Sequence, residues 1–66
     1  MQIFVNGDTL ELQEGAALID LLELLSLADA KVAIELNQGI MPRSQHARQR
    51  LTHQDRVEIV HAIGGG

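Results

Sequence analysis

The sequence predicts a two-layer α+β fold in which one helix covers one face of a sheet of four or five strands. Short segments with a period-two alternation of apolar and polar residues recur along the chain, as is typical of half-buried strands. One segment alone shows apolar residues at helical spacing. The chain has 66 residues and no cysteine, so we expect one aliphatic core without disulfides.

The first two predicted strands form a β-hairpin. Residues 1–6 alternate, and the pair Asn6-Gly7 follows, which favours a type I′ turn because both central residues need positive φ. The alternation resumes over residues 9–13 and is broken at Gly15.

A helix is predicted after this hairpin. Its apolar stripe consists of leucines at positions i, i+3, i+4 and i+7, namely Leu18, Leu21, Leu22 and Leu25. Ile19 and Leu24 are expected to widen the stripe. No Ser, Thr, Asp or Asn precedes the stripe to cap the helix.

Three further strands are predicted in the second half of the chain. They cover residues 32–36, the short segment 40–41 that ends at Pro42, and residues 56–63. The polar segment between them is expected to contain one helical turn, with Leu51 inserted in the core.

Composition excludes several classes of protein. The net charge of −4 argues against nucleic acid as a partner, since its phosphates require an excess of Lys and Arg. No apolar run reaches the roughly 18 residues of a membrane span, and the first residues do not resemble a signal peptide. We therefore expect a soluble, cytoplasmic protein.

No self-contained active site or metal site is predicted. The absence of cysteine excludes thiolate ligands, and His46, His53 and His61 lack the spacing of a helical metal motif. His46 and His53 are interpreted as surface residues and His61 as a side chain at a strand end. Asp8 and Glu11 are expected to be exposed, which argues against a general acid/base pair.

The most informative segment follows the last strand. Gly64, Gly65 and Gly66 have no Cβ, so they could extend through a channel too narrow for side chains and present a terminal carboxylate. A frayed end is the alternative interpretation of three terminal glycines.

The order of elements and the glycine tail resemble the β-grasp, ubiquitin-like carrier proteins and, more closely, the ThiS family of sulfur carriers in thiamine biosynthesis. The resemblance covers the whole chain and rests on four segments: Asn6-Gly7, Glu14-Gly15, residues 32–37 with Pro42-Arg43-Ser44, and residues 55–66. It implies a mixed sheet, a β-grasp domain over residues 1–63 and a flexible tail over residues 64–66. Ala17 and Gln54 depart from the family, which usually has a capping Thr and a turn Gly there.

The resemblance also implies the chemistry. An E1-like (ThiF-like) enzyme would use ATP to adenylate the Gly66 carboxylate while Gly64 and Gly65 thread its channel. A persulfide sulfur donor would then convert the adenylate to a thiocarboxylate, and a ThiG-like thiazole synthase would receive the sulfur. The carrier itself would hold no permanent cofactor or metal, and it would be a monomer when free.

Strand alternation predicts where partners bind. Phe4, Val60 and Ala62 are expected on the sheet face opposite the helix, and if the first and last strands are neighbours they form an apolar patch beside the tail. The alternative is that Phe4 is packed and Val60 is merely on the surface. The arginines of the polar segment, Arg43, Arg48 and Arg50, form either a second contact or a solvated loop.

Three other functions remain open from the sequence. The small subunit of molybdopterin synthase is expected to share the fold and the tail, although it is usually longer. A ubiquitin-like modifier joined to lysines through Gly66 is the second alternative. The third is an interaction module in which the tail has no role.

Overall fold

The computed structural model describes residues 1–61 and shows a five-stranded mixed sheet with one helix on one face. The elements are β1 (Gln2–Val5), β2 (Asp8–Glu11), α1 (Leu18–Leu24), β3 (Val32–Leu36), β4 (Gly39–Met41), a 3₁₀ helix (Arg43–Gln45) and β5 (Arg56–His61). The strand order is β2-β1-β5-β3-β4, in which only β1 and β5 are parallel neighbours. The predicted fold class is confirmed, and the predicted domain boundary at residue 63 lies outside the described residues.

The predicted hairpin connects β1 and β2. Asn6 and Gly7 have φ values of 49° and 88°, so both central residues of the turn are in the left-handed region, as a type I′ turn requires. Val5 pairs with Asp8 directly across this two-residue loop. The turn therefore sets the register of the hairpin and places Ile3 in the core.

The core lies between α1 and one face of the sheet. Its buried members come from β1, α1, β3, β5 and one loop residue: Ile3, Leu18, Leu21, Leu22, Ile34, Leu51, Val57 and Ile59. All are aliphatic, and each such side chain contributes roughly 1.5–3 kcal/mol when fully buried. The predicted role of Leu51 is confirmed, since only 2% of its surface is exposed.

The helix begins without a side-chain cap of the usual kind. Ala17 has no side-chain oxygen, but the Asp20 carboxylate accepts the Ala17 N–H at 2.8 Å. The N–H groups of Leu18 and Ile19, which have no acceptor within the helix, donate to carbonyl oxygens of the polar segment that follows β4. These acceptors are Gln49 O at 2.8 Å and His46 O at 3.0 Å.

Arg50 joins the same segment to the loop before the helix. Its guanidinium donates to Gly15 O at 2.7 Å, and its backbone forms a bridge with Ala17. The segment from the 3₁₀ helix to Leu51 therefore replaces the missing cap and holds the start of α1.

No helix within residues 1–61 is long and apolar enough to cross a membrane.

Two expectations for single residues are wrong. His46 is buried, with 6% of its surface exposed, and its Nε2 lies 3.2 Å from Met41 O, because the polar segment folds back against the helix instead of extending into solvent. Leu24 does not widen the buried stripe and is 59% exposed. Successive helical residues are about 100° apart, so Leu24 lies about 120° from Leu18 around the axis and faces solvent. Only Leu18, Leu21 and Leu22 are fully buried in the helix.

The turn before β5 contains a strained residue. Gln54 has φ of 70°, and its N–H donates to Gln2 O at 2.6 Å, which holds the turn against β1. A residue with a Cβ adopts this left-handed conformation at a cost of roughly 1–2 kcal/mol, which glycine avoids.

We predict that Gln54→Gly raises the free energy of unfolding by about 0.5–1 kcal/mol, because the relief of strain exceeds the entropy that glycine loses on folding. Urea denaturation measures the change. Gln54→Ala keeps the strain and is the matched control, expected within about 0.5 kcal/mol of wild type. Equal stabilisation by both substitutions would contradict the explanation.

Candidate functional site

The central strand β5 carries the chain towards the candidate tail. It pairs with β1 on one edge and with β3 on the other, and Val57 and Ile59 on its inner face are buried in the core. Residues 62–66 follow it in the sequence. The predicted adenylation residue Gly66, the threading residues Gly64 and Gly65, and the predicted contact residue Ala62 lie outside the described part of the chain.

The structure places Phe4 and Val60 on the predicted outer face but not side by side. Phe4 is half-buried and pairs with Arg56, whose guanidinium carbon lies 5.3 Å from the centre of the Phe4 ring. Val60 lies four residues after Arg56 in β5, and four residues of a strand span about 13 Å. It is 60% exposed and pairs with Ala33 of β3. The register therefore separates the two predicted contact residues.

The outer face between these residues is charged. Glu58 lies on β5 between Arg56 and Val60, and its cross-strand partner is Glu35 of β3, which is also exposed. Like charges directly opposite each other in a sheet repel. The outer face is therefore a mixed surface and does not present one continuous apolar patch.

One exposed apolar residue on this face, Ile40, was not predicted from the sequence. Ile40 of β4 is 80% exposed and pairs with Glu35, while Met41 beside it points to the core. The alternation of β4 could have identified it, but a strand of three residues gives too short a pattern to assign a face from sequence alone.

Two asparagines in tight turns hold β5 by their side chains. Asn6, in the first turn, accepts the Ile59 N–H at 2.7 Å through Oδ1 and donates from Nδ2 to Ile59 O at 3.1 Å. Asn37, after β3, accepts the Arg56 N–H at 2.9 Å and donates to Asp55 Oδ1 at 3.0 Å. The Asn37 side chain therefore holds the start of β5, and the Asn6 side chain holds its later part.

The Asp55 carboxylate organises the turn that leads into β5. It accepts hydrogen bonds from the Thr52 N–H at 2.8 Å, the Thr52 hydroxyl at 3.0 Å and Asn37 Nδ2 at 3.0 Å. Partial burial raises the pKa of Asp55, but these hydrogen bonds outweigh it, so the pKa lies below the ordinary value for an aspartate.

The remaining candidates for chemistry form no site. His53 is exposed and accepts the Gln2 N–H at 3.0 Å through Nδ1, and His61 is exposed at the end of β5. Within residues 1–61, no cluster of His, Asp or Glu could hold a metal ion. A shallow groove of ≈ 410 Å³ lies between the end of the hairpin and α1, and none of its lining residues belongs to β5.

The arginines of the polar segment were predicted to form either a second partner contact or a solvated loop. The structure gives an intramolecular contact for one of them, Arg50. Arg50 binds Gly15 O and is therefore structural, as described above. Arg43 begins the 3₁₀ helix and Arg48 follows it, and both side chains are exposed. A role for these two in partner binding stays a prediction.

A mixed sheet of order 2-1-5-3-4 with one helix on one face defines a β-grasp, ubiquitin-like domain. The model of the ThiS family matches residues 2–66, and the chain belongs to that family. A crystal structure of the thiamine biosynthesis protein ThiS from Geobacter metallireducens matches all of the chain and is itself covered completely, with a TM-score of 0.85 and 30% identity.

Curated relatives fall into two groups by length. The sulfur carrier protein ThiS of Escherichia coli (strain K12) is 33% identical over 66 residues, which cover all of both chains. A thiazole synthase from Magnetococcus marinus is 38% identical and one from Paramagnetospirillum magneticum is 35% identical over the same length. The chain spans only 20% of each of these two proteins.

We predict that Asp55 makes stability depend on pH in the acid range. Its folded pKa is lowered, so the stabilisation is fully present above the unfolded value of about 4 and is lost as the pH falls through the folded value. Asp55→Asn is expected to lower the free energy of unfolding by about 1–2 kcal/mol at pH 7 and to flatten its decline in acid.

Urea denaturation at a series of pH values measures this effect. Asp8→Asn, at an exposed position of β2, is the matched control and is expected to leave the curve close to that of wild type. If Asp55→Asn only shifts the curve downwards without changing its slope in acid, the assignment to Asp55 is wrong.

Proposed function

We propose that this chain is a sulfur carrier protein of thiamine biosynthesis and a substrate of other enzymes rather than an enzyme. The observation that carries the proposal is the central strand β5, which is paired on both edges and is followed directly by the sequence Ala62-Ile63-Gly64-Gly65-Gly66. Membership of the ThiS family and the name of the E. coli relative support it.

The chemistry begins at the carboxylate of Gly66, with that residue as the free C-terminus. A carboxylate is a poor electrophile until one oxygen becomes a good leaving group. Attack of this carboxylate on the α-phosphate of ATP forms an acyl-adenylate and releases pyrophosphate. A persulfide sulfur then displaces AMP and forms an acyl disulfide, and a second thiol cleaves the S–S bond. The products are the Gly66 thiocarboxylate and a disulfide between the sulfur donor and the second thiol.

Partners provide everything except the acyl group. A ThiF-like adenylating enzyme would bind ATP, a persulfide would provide sulfur, and a ThiG-like thiazole synthase would accept it. Segments similar to this chain occur within two proteins named thiazole synthase, which supports that acceptor. The carrier would be monomeric when free and would hold no permanent cofactor.

We predict that incubation with a cognate adenylating enzyme, ATP and a persulfide donor replaces one Gly66 oxygen with sulfur. Intact-protein mass spectrometry measures the exchange, and an alkylating reagent distinguishes it from methionine oxidation, which adds nearly the same mass. Because the chain has no cysteine, a thiol-selective reagent should label only the thiocarboxylate.

Reactions without ATP, and a chain that lacks Gly65 and Gly66, are the controls and are expected to show no labelling. Absence of the exchange in the full chain, with a partner proven active on another carrier, would contradict the proposal. Conjugates joined through an isopeptide bond to lysines would indicate a protein modifier. Co-purification with a molybdopterin synthase large subunit would indicate that the chain is the small subunit of that enzyme.

The outer face of the sheet is the proposed docking surface for the adenylating enzyme. The prediction named Phe4, Val60 and Ala62, and among them Val60 is the described residue with a largely exposed apolar side chain. Phe4 is half-buried beneath Arg56. Val60 is therefore the better probe, since an acidic residue there leaves the core unchanged.

We predict that Val60→Asp lowers the rate of adenylation about tenfold or more, because truncating or charging a central apolar contact costs about 2 kcal/mol or more of binding. Pyrophosphate release measures the rate. Leu24→Asp makes the same change at an equally exposed apolar residue of α1, in the other layer of the domain, and is expected to have little effect. An unchanged rate for a folded Val60→Asp variant would refute this docking surface.

A further inference from the structure

We propose that Asn6 is a positioning residue for the tail, because its carboxamide fixes the place and direction in which β5 leaves the sheet. The inference rests on the proposed function, since it assigns to Asn6 an effect on adenylation at Gly66. It goes beyond the role of Asn6 in the hairpin turn, which glycine or aspartate could also fill.

The backbone of β1 stops pairing with β5 before β5 ends. The last backbone hydrogen bond between them runs from Asn6 N to Val57 O at 2.9 Å, and Gly7 then turns the chain towards β2. The next groups of β5 on this edge are the N–H and C=O of Ile59. Backbone groups in a protein interior need partners, and β1 has no further residue to offer.

The side chain of Asn6 takes the place of the next residue of β1. Oδ1 accepts the Ile59 N–H at 2.7 Å and Nδ2 donates to Ile59 O at 3.1 Å. A carboxamide has one acceptor and a donor in the same arrangement as a peptide group. Asn6 therefore extends the parallel ladder by one step towards the tail without any further strand backbone.

Beyond Ile59 the described part of β5 is paired on one edge only. Val60 and His61 pair with Ala33 and Val32 of β3, and within residues 1–61 no strand pairs with them on the β1 side. Asn6 is thus the last described partner on that edge of the strand. Its two hydrogen bonds therefore fix the β1 edge of β5 at Ile59, and β3 alone holds the described strand beyond that point.

The length of chain after Ile59 makes that orientation matter. Gly66 is seven residues after Ile59, and a fully extended chain of this length spans about 23 Å. With the tail held extended in the channel of the adenylating enzyme, a change of about 5° in the direction of β5 at Ile59 displaces the far end by about 2 Å. A misplacement of about 1 Å at a reacting atom can reduce a rate about 100-fold.

Asn37 provides a matched control within the same chain. It also has a left-handed backbone, with φ of 50° against 49° for Asn6, and its side chain also makes two hydrogen bonds at β5. These bonds reach Arg56 N and Asp55, at the start of the strand. Removal of the Asn37 side chain should therefore affect stability in the same way but leave the exit of the tail unchanged.

The experiment compares Asn6→Gly and Asn6→Asp with Asn37→Gly. Glycine keeps the left-handed turn and removes both hydrogen bonds, whereas aspartate keeps the shape and places an oxygen in front of Ile59 O. Amide hydrogen exchange tests the contact directly: we expect faster exchange at Ile59 in Asn6→Gly and at Arg56 in Asn37→Gly, and a smaller change at Ile59 in Asn6→Asp, because the carboxylate still accepts the Ile59 N–H.

Steady-state adenylation by a cognate E1-like enzyme, followed by pyrophosphate release, tests the function. For both Asn6 variants we expect kcat to fall about tenfold or more while KM stays within about twofold, since the docking face is intact and the reacting carboxylate is misplaced. For Asn37→Gly we expect both constants within about twofold of wild type.

Each other outcome has one meaning. If Asn6→Gly and Asn37→Gly reduce kcat equally, or if exchange at Ile59 is unchanged, Asn6 does not position the tail and the inference is overturned alone. If the wild-type chain is not adenylated, the proposed function fails and the inference falls with it.

Discussion

The parallel pairing of β1 with β5 is the constraint on which the rest of the structure depends. It joins strands that lie about 50 residues apart in the sequence, through pairs such as Phe4 with Arg56 and Val5 with Val57. Parallel neighbours require a long crossover connection, and here that connection contains β2, α1, β3 and β4. Burial of Val57 and Ile59 beneath the helix holds the crossover closed.

The polar segment between β4 and β5 provides hydrogen-bond acceptors for the first N–H groups of the helix. A helix of seven residues with alanine at its N-cap leaves N–H groups without acceptors. Carbonyl groups of His46 and Gln49 accept two of them, while Leu51 fills the core. A segment that reads as a solvated loop therefore contributes both hydrogen bonds and packing, which matters in a domain with no disulfide to add stability.

The outer face of the sheet alternates exposed apolar residues with charged ones. Val60 and Ile40 are exposed apolar residues, and the acidic pair Glu35 and Glu58 lies in the same cross-strand row as Ile40, next to the row of Val60. Arg56 covers the ring of Phe4 and removes it from contact with solvent on that side. Charges that break up apolar surface in this way limit nonspecific association while leaving individual contacts accessible.

The sequence by itself determined the local structure: the strands, the Asn6-Gly7 turn, the helix and the insertion of Leu51 all follow from periodicity and turn chemistry over a few residues. Only the tertiary structure decided which side chains meet across long separations. The register of β5 places Phe4 against Arg56 instead of Val60, and the folded-back segment buries His46. Asn6 depends on both local and tertiary structure. Its left-handed backbone belongs to the local turn, whereas its side-chain hydrogen bonds to Ile59 form only because β1 ends beside that residue. Local patterns set the face of each residue, and the alignment of distant strands sets its neighbours.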